Sequence, residues 1–565
     1  MVYKVADNIL SPLGATTAEN YQAVKAGRSA LARHDQRWSM PEKGLTASLF
    51  SKEQEEQFLI SGLSRFESMV VTSVREALSQ TTLDVSQSNI ILIISTTKGD
   101  VELLEESPDS DHLSPADSAQ RIAKTLGFTT DPIVVCNACI SGLSALILTS
   151  RMLEDGLYDH AVVCGADSQS RFIVSGFQSL KALSPESCRP FDMERLGLNL
   201  GEAAATMILS SIIHSQWNLG PGAIRNDAVH ISNPAKDGEG SYRALKAVVS
   251  DGDKESLAFI NSHGTATIFN DQMESVAIER AGLAGIPVNA YKGCYGHTMG
   301  AAGVLETILS MAAIDDHTIL ATRGFEELGV SGRISVSASH QSTDKTAFVK
   351  MLSGFGGCNA ALLLEKNGSR TSGGCHSPFS SHHSVVIRPD AVEVDGRRLP
   401  IDAHGPALLT ALYRQYVGDY PKYYKMDPLS RLGFVASELL LQAEEGRERF
   451  VTCDDRAVVF FNHSSSVCAD RQYMETIADP ENCFPSPSVF VYTLPNIVTG
   501  EIAIRNHYHG ETSFYILPRR DGSLIQQVLH ASCLDPATQS ILCGWLDYED
   551  DAHFEADLRL LNKSV

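Results

Sequence analysis

An α/β protein built on parallel strands is what these 565 residues predict, on three observations. Short runs rich in β-branched and aliphatic residues, with no polar alternate, recur along the chain and read as strands buried on both faces. Stretches with apolar residues at helical spacing separate them, which is the pattern of βαβ units. Several of these strands run directly into loops that set Cys, His or Lys among glycines, and in open α/β sheets ligands bind at that edge.

In chain order, apolar positions from Phe58 to Val74 predict a helix over 56–79, and Ile90–Ile94 a buried strand. A helix near 116–126 leads to the strand Ile133–Val135. Leu143 to Met152 form the next helix, closed by Gly156, and Ala161–Gly165 the next strand, with another ending near Leu209. The second half repeats the pattern. Leu257–Ile260 runs into Asn-Ser-His-Gly-Thr-Ala-Thr at 261–267, and Val288–Ala290 into Tyr-Lys-Gly-Cys-Tyr-Gly-His-Thr-Met-Gly-Ala-Ala-Gly at 291–303, then a helix through Ala313. Phe348–Leu352 enters Ser-Gly-Phe-Gly-Gly-Cys-Asn at 353–359, and Ala360–Leu364 returns.

The turn after Ile133–Val135 carries Cys139. A thiol there sits at the positive end of the following helix, which favours the nucleophilic thiolate. Cys136 and Cys139 also form a Cys-x-x-Cys. A zinc or redox role is disfavoured, because Cys136 closes a buried strand and the chain has no second Cys-x-x-Cys. Taken singly, Cys139 reads as a core cysteine and His263 or His297 as a hydrogen-bonded structural histidine. Only their combination points to chemistry.

A net charge of −22 argues against nucleic acid or an anionic membrane surface as a general partner. There is no run of 18 apolar residues, and the N-terminal Met-Val-Tyr-Lys-Val-Ala-Asp lacks the apolar core of a signal peptide, so the expected location is cytoplasmic with no membrane span. Twelve cysteines without the tight spacing of a disulfide framework fit a reducing compartment. The length predicts two or more compact units.

Six motifs occur in order: Asn-Ala-Cys-Ile-Ser-Gly at 137–142; Cys-Arg-Pro-Phe-Asp at 188–192; Asn-Asp-Ala-Val-His at 226–230 with Gly-Glu-Gly at 238–240; the His263 loop with Asn270, Asp271 and Glu274; Lys292 and the His297 loop with Glu306; and Gly-Phe-Gly-Gly-Cys-Asn at 354–359. Together they resemble the β-ketoacyl synthase family of the thiolase fold, over roughly residues 1–366. The resemblance implies two pseudo-symmetric layered α/β/α halves, about 1–210 and 211–366. It also implies the elongating, decarboxylating Cys-His-His type of 3-oxoacyl-[acyl-carrier-protein] synthase, with Cys139 as nucleophile and His263 and His297 at the malonyl thioester. Lys292 and Glu306 would pair beside the histidines, Phe355 would gate the pocket and share the oxyanion site with the Cys139 N–H, and Asp271 and Glu274 would hold the histidine loop. No metal and no cofactor is implied beyond substrates carried on the phosphopantetheine of an acyl carrier protein. Expected partners are that carrier and a second copy or another ketosynthase-like subunit, in a homodimer or heterodimer. A non-catalytic chain-length-factor-like subunit and a thiolase are the alternatives; the intact Cys-His-His set speaks against both. Ile140 where a small residue is usual, Cys358 in place of threonine, and a somewhat short chain before residue 366 bear on pocket shape.

Residues 367–384 are polar and glycine-rich and read as a linker, with His382 and His383 as exposed linker residues. Beyond it, 385–565 resembles a third, degenerate N-terminal-type ketosynthase half, with Arg519 opposite Cys139 when Gly522 is matched to Gly142. No histidine loops follow it. A fused companion half suggests a dedicated pathway of the fatty acid, aryl polyene or polyketide-like kind.

Overall fold

The strands Ile90–Ser95, His160–Asp167 and Ala203–Ser210 are buried along their whole length, so helices have to cover both faces of the sheet they form. The structure is a computed structural model and describes residues 1–565 except 36, 37, 39–43, 108–112, 369, 371–378, 480–483, 564 and 565. The strands of its first sheet are β1 (Val2–Leu10), β2 (Ile90–Ser95), β3 (Ile133–Val135), β4 (His160–Asp167) and β5 (Ala203–Ser210). Their order is β3-β2-β4-β5-β1, with β2 parallel to β3 and β4, and β5 antiparallel to β4 and β1.

The same plan returns twice. β6 (Trp217–Asn226), β7 (Leu257–Asn261), β8 (Pro287–Asn289), β9 (Ala347–Gly354) and β10 (Cys358–Lys366) lie in the order β8-β7-β9-β10-β6. β11 (Phe379–Arg388), β12 (Arg456–Asn462), β13 (Thr512–Ile516), β14 (Ser540–Tyr548) and β15 (Phe554–Lys563) lie in the order β13-β12-β14-β15-β11. Parallel and antiparallel neighbours fall at corresponding places in all three. This is a thiolase-like α/β fold of two halves, extended by a third sheet of the same topology.

Three helices follow corresponding strands: α1 (Ser141–Glu154) after β3, α2 (Ala302–Asp315) after the loop that leaves β8, and α3 (Gly522–Cys533) after β13. The N-termini of α1 and α2 meet at Gly142 and Gly303, where a Cβ on Gly303 would fall 2.2 Å from the Leu143 nitrogen. Only glycine permits that approach, and it brings the turns carrying Cys139 and His297 together.

The third sheet joins the first through an antiparallel pairing of β13 with β3, Tyr515 opposite Val135 and Ile516 opposite Val134. Buried ion pairs tie the same seam: Arg151 to Glu511 at 2.7 Å and to Asp535 at 3.1 Å, Arg225 to Asp535 at 2.7 Å, and Lys98 to Asp470 at 2.6 Å. The two largest hydrophobic clusters draw residues from both sides of it. Among the described residues no helix is long and apolar enough to cross a membrane.

Two expectations change. The helix expected over 56–79 is two helices, Lys52–Phe58 and Arg65–Leu78, because Gly62 turns the chain at φ +86° and Ser64 caps the second helix in a box with Glu67. Of the expected linker, 369 and 371–378 lie outside the described residues, while 379–384 are strand, paired along β15. Their polar character fits a strand with one free edge, since the hairpin partner Ala391–Val394 joins only from Val385 onward. His382 and His383 sit on this edge beside Ser380 and Asp395.

Candidate active site

Cys139 lies in the one-turn segment Ala138–Ile140 between β3 and α1. Ala138 before it adopts φ +47°, a left-handed conformation costly for a residue with a Cβ and held only because the surroundings fix it. The Ser141 hydroxyl accepts from the Asn137 N–H at 2.8 Å and donates to the Ala138 carbonyl at 2.6 Å. From the third sheet, the Phe514 N–H donates to Asn137 Oδ1 at 2.7 Å, and the Cys136 N–H donates to the Phe514 carbonyl at 3.1 Å. The turn is therefore braced from both sides of the seam.

The thiol is half-buried, and the backbone N–H groups of Cys139 and Phe355 point at it. Burial pushes its pKa up to about 12, against the pull of Lys292 and those two N–H groups, with Asp167 adding to the rise. This corrects the expectation of a resting thiolate: a helix N-terminus returns about 0.3–1 kcal/mol, and enclosing the anion costs more.

His263 leaves β7 on a loop held by two carboxylates. Glu274 accepts the N–H groups of His263 and Gly264, both at 2.7 Å, while Asp271 accepts those of Phe191 at 2.7 Å and Ala266 at 3.2 Å. His297 stands across from it, the ring centroids 5.0 Å apart and the planes at 80°. The Met299 N–H donates to His297 Nδ1 at 3.2 Å, which places the ring proton on Nε2. That Nε2 and the Nδ1 of His263 are buried with no hydrogen-bond partner among the described residues. Burial and the charge of Lys292, with Lys350 adding to both, hold the two imidazoles well below their ordinary pKa, so they are neutral N–H donors near pH 7. One donor atom from each of Cys139, His263 and His297 lies within 4.8 Å of the other two.

All three line a cavity of about 310 Å³ that Phe355 closes on one side. The Phe355 loop turns through Gly356 and Gly357 at positive φ and is fastened by Asn226, which donates to the Gly356 carbonyl at 2.8 Å. Phe177 stacks against Phe355 with centroids 6.4 Å apart. Lys292 and Glu306 form a buried pair at 2.7 Å.

Sequence reasoning missed three residues here. Lys350, on β9, is a second buried lysine on Glu306; a lysine inside Phe348-Val349-Lys350-Met351-Leu352 was the available signal. Asp167, at the end of β4, gathers the N–H groups of Thr97 and Gly300 and the Thr96 hydroxyl beneath the site. Asn496, from the third unit, donates to the Phe355 carbonyl at 2.8 Å, and nothing in its local sequence marks it. Arg519, placed opposite Cys139 from the sequence, is 69% exposed and paired with Asp131 at 2.6 Å. Matching the end of β3 to that of β13 and the start of α1 to that of α3 sets Arg520 there instead, paired with Glu555 and Asp557.

Comparison with known proteins identifies the family. The family models "Beta-ketoacyl synthase, N-terminal domain" and "Beta-ketoacyl synthase, C-terminal domain" match residues 5–212 and 220–326. The 3-oxoacyl-[acyl-carrier-protein] synthase 2 of Vibrio cholerae is 28% identical over 404 residues, 63% of this chain and 97% of its own. A ketosynthase solved in complex with its chain length factor from Xenorhabdus doucetiae is 26% identical, with TM-score 0.54 over 65% of this chain and 98% of its own. The PfaC keto synthase-chain length factor structure shares the fold over 100% of this chain and 78% of its own, TM-score 0.77, at 13% identity. The chain belongs to the β-ketoacyl synthase family and is a ketosynthase, an acyltransferase that forms carbon–carbon bonds.

Proposed function

We propose that the protein is a 3-oxoacyl-[acyl-carrier-protein] synthase that extends an acyl chain held on Cys139 by decarboxylative Claisen condensation with a malonyl-carrier thioester. One observation carries the reading: a thiol, two neutral imidazoles with unpartnered ring nitrogens, and two convergent backbone N–H groups share one cavity.

In the loading half-reaction the Cys139 sulfur attacks the thioester carbonyl and loses its proton. That proton is relayed to the departing carrier sulfur, and neither histidine has to keep it. The N–H groups of Cys139 and Phe355 receive the oxyanion, the tetrahedral adduct collapses, and the carrier thiol leaves with the proton. In the second half-reaction the malonyl carboxylate departs as carbon dioxide and leaves an enolate, whose oxygen accepts N–H donation from the two histidines. The enolate carbon attacks the acyl-Cys139 carbonyl, the C–S bond breaks as the β-ketoacyl product forms, and the Cys139 thiolate takes a proton from solvent to restore the resting thiol. No cofactor is needed beyond the phosphopantetheine arm of the carrier.

The third unit would act as a degenerate half-synthase that braces the nucleophile turn and shapes the far end of the acyl pocket. Its turn offers arginine in place of a nucleophile, and its β13 occupies the edge of β3 that another subunit could otherwise pair with. A fused half of this kind favours a dedicated fatty acid, aryl polyene or polyketide-like pathway in the cytoplasm. The test is to incubate the full chain with acyl- and malonyl-carrier protein, then measure mass gain on the Cys139 peptide and carbon dioxide release. The wild type should show both, and Cys139→Ala neither mass gain nor condensed product, while Cys136→Ser keeps loading and condensation. Loading that survives in Cys139→Ala removes the nucleophile assignment.

A further inference from the structure

Lys350 is 0% exposed, yet its ammonium is fully satisfied: Nζ donates to Asn261 Oδ1 at 2.7 Å, to the Ser262 carbonyl at 3.2 Å and to Glu306 Oε2. Ser262 is the residue before His263, so the lysine holds the histidine loop from below while Glu274 holds it from above. Glu306 is shared between Lys292 and Lys350, which gives the cluster two ammonium groups and one carboxylate. The other carboxylate near Lys350 is Glu274, on the helix Ile268–Arg280; burial and the neighbouring Asp271 push its pKa up to about 7, and it is already engaged by two backbone N–H groups. His263 and His297 are neutral.

We infer that Lys350 is a positioning residue for the condensation half-reaction: its ammonium fixes the His263 loop and, with Lys292, sets positive charge beside the site, matched to the malonyl carboxylate and the enolate that replaces it. The inference rests on the ketosynthase reading above. Loading of Cys139 develops its oxyanion on the N–H groups of Cys139 and Phe355, so it depends less on this charge. Burial lowers the Lys350 pKa to about 8, with Lys292 also lowering it and Glu306 opposing, so the charge disappears on the alkaline side.

The experiment uses full-length Lys350→Met and Lys350→Arg, with separate readouts for acyl loading by mass spectrometry and malonyl decarboxylation by carbon dioxide release across pH. Lys350→Met should load within a few-fold of wild type and decarboxylate about 10–100-fold more slowly, the range typical of groups that orient a reacting side chain at one remove. The alkaline fall of the wild-type rate near pH 8 should vanish in Lys350→Met, and move to higher pH with part of the rate regained in Lys350→Arg. Wild-type decarboxylation and pH profile in Lys350→Met would overturn the inference. So would an equal loss of loading and decarboxylation, which marks a merely structural lysine. Should Lys350→Met fail to fold, Lys350→Gln is read by the same two ratios. A wild-type protein that neither loads nor decarboxylates defeats the ketosynthase reading itself.

Discussion

A thiol enclosed beside two neutral imidazoles has to lose its proton in the step that uses it, and this sets its pH behaviour. Cys139 carries a pKa pushed up to about 12 by burial, so the thiolate fraction grows with pH throughout the accessible range. Iodoacetamide labelling of Cys139, read by mass spectrometry, should therefore accelerate about tenfold per pH unit between about pH 7 and 9, with no plateau. A plateau below about pH 8 would show that the helix N-terminus and Lys292 outweigh burial after all. The histidines divide the reaction differently. His263→Ala and His297→Ala should each keep acylation of Cys139 while decarboxylation drops about 10²–10³-fold, the usual loss when one donor to a developing oxyanion is removed. Wild-type carbon dioxide release from either variant would remove that histidine from the site.

Strand and helix ends decide where these side chains stand, and much of that was visible in the residues. Cys139, His263 and His297 each follow an apolar run that is a strand, Ile133–Val135, Leu257–Asn261 and Pro287–Asn289, because strands buried on both faces must be apolar throughout. What stayed hidden depends on tertiary contact. The resting protonation of Cys139 reflects enclosure by distant segments, Asn496 reaches Phe355 from 141 positions away, and the polar edge of Phe379–Ser384 looks like linker until β15 is placed beside it. The Arg151, Arg225, Glu511 and Asp535 network was likewise invisible, since its members come from α1, β6, the residue before β13 and the residue after Leu534. Arg151→Met should expose the logic of that seam. It strands the Glu511 carboxylate, whose 2.7 Å pair is with Arg151, in a site where both side chains are 2% exposed or less. Breaking a buried pair from one side costs about 3–5 kcal/mol, so urea unfolding should show a loss of that order. A change within about 0.5 kcal/mol, the size expected of a surface substitution, would mean that the network contributes nothing.

One five-stranded plan used three times leaves an odd unit, and its place in the molecule argues for what it does. A site of this kind draws Cys139 from the first sheet and both histidines from the second; among the described residues the third sheet supplies no equivalent of either, and its turn carries the exposed Arg519 and Arg520. What it does supply is cover. β13 pairs with β3, Phe514 braces Asn137 beside Cys139, Asn496 fastens the Phe355 loop, and Phe490 packs against Phe177 with ring centroids 5.6 Å apart. Arg519→Ala should accordingly leave loading and decarboxylation at the wild-type rate. Deleting residues 379–565 is another matter. It would bare the unpaired edge of β3 together with Arg151, Arg225 and Lys98, whose buried carboxylate partners all lie in the removed segment. A short apolar edge strand next to three stranded charges invites pairing with another chain or aggregation. Size-exclusion chromatography of the truncated protein should therefore show aggregates, or copies associated through the vacated face, with loading of Cys139 slowed because its turn has lost the Phe514 brace. A soluble truncation with the oligomeric state, loading rate and product length of the full chain would show that the third unit is dispensable to the site it covers.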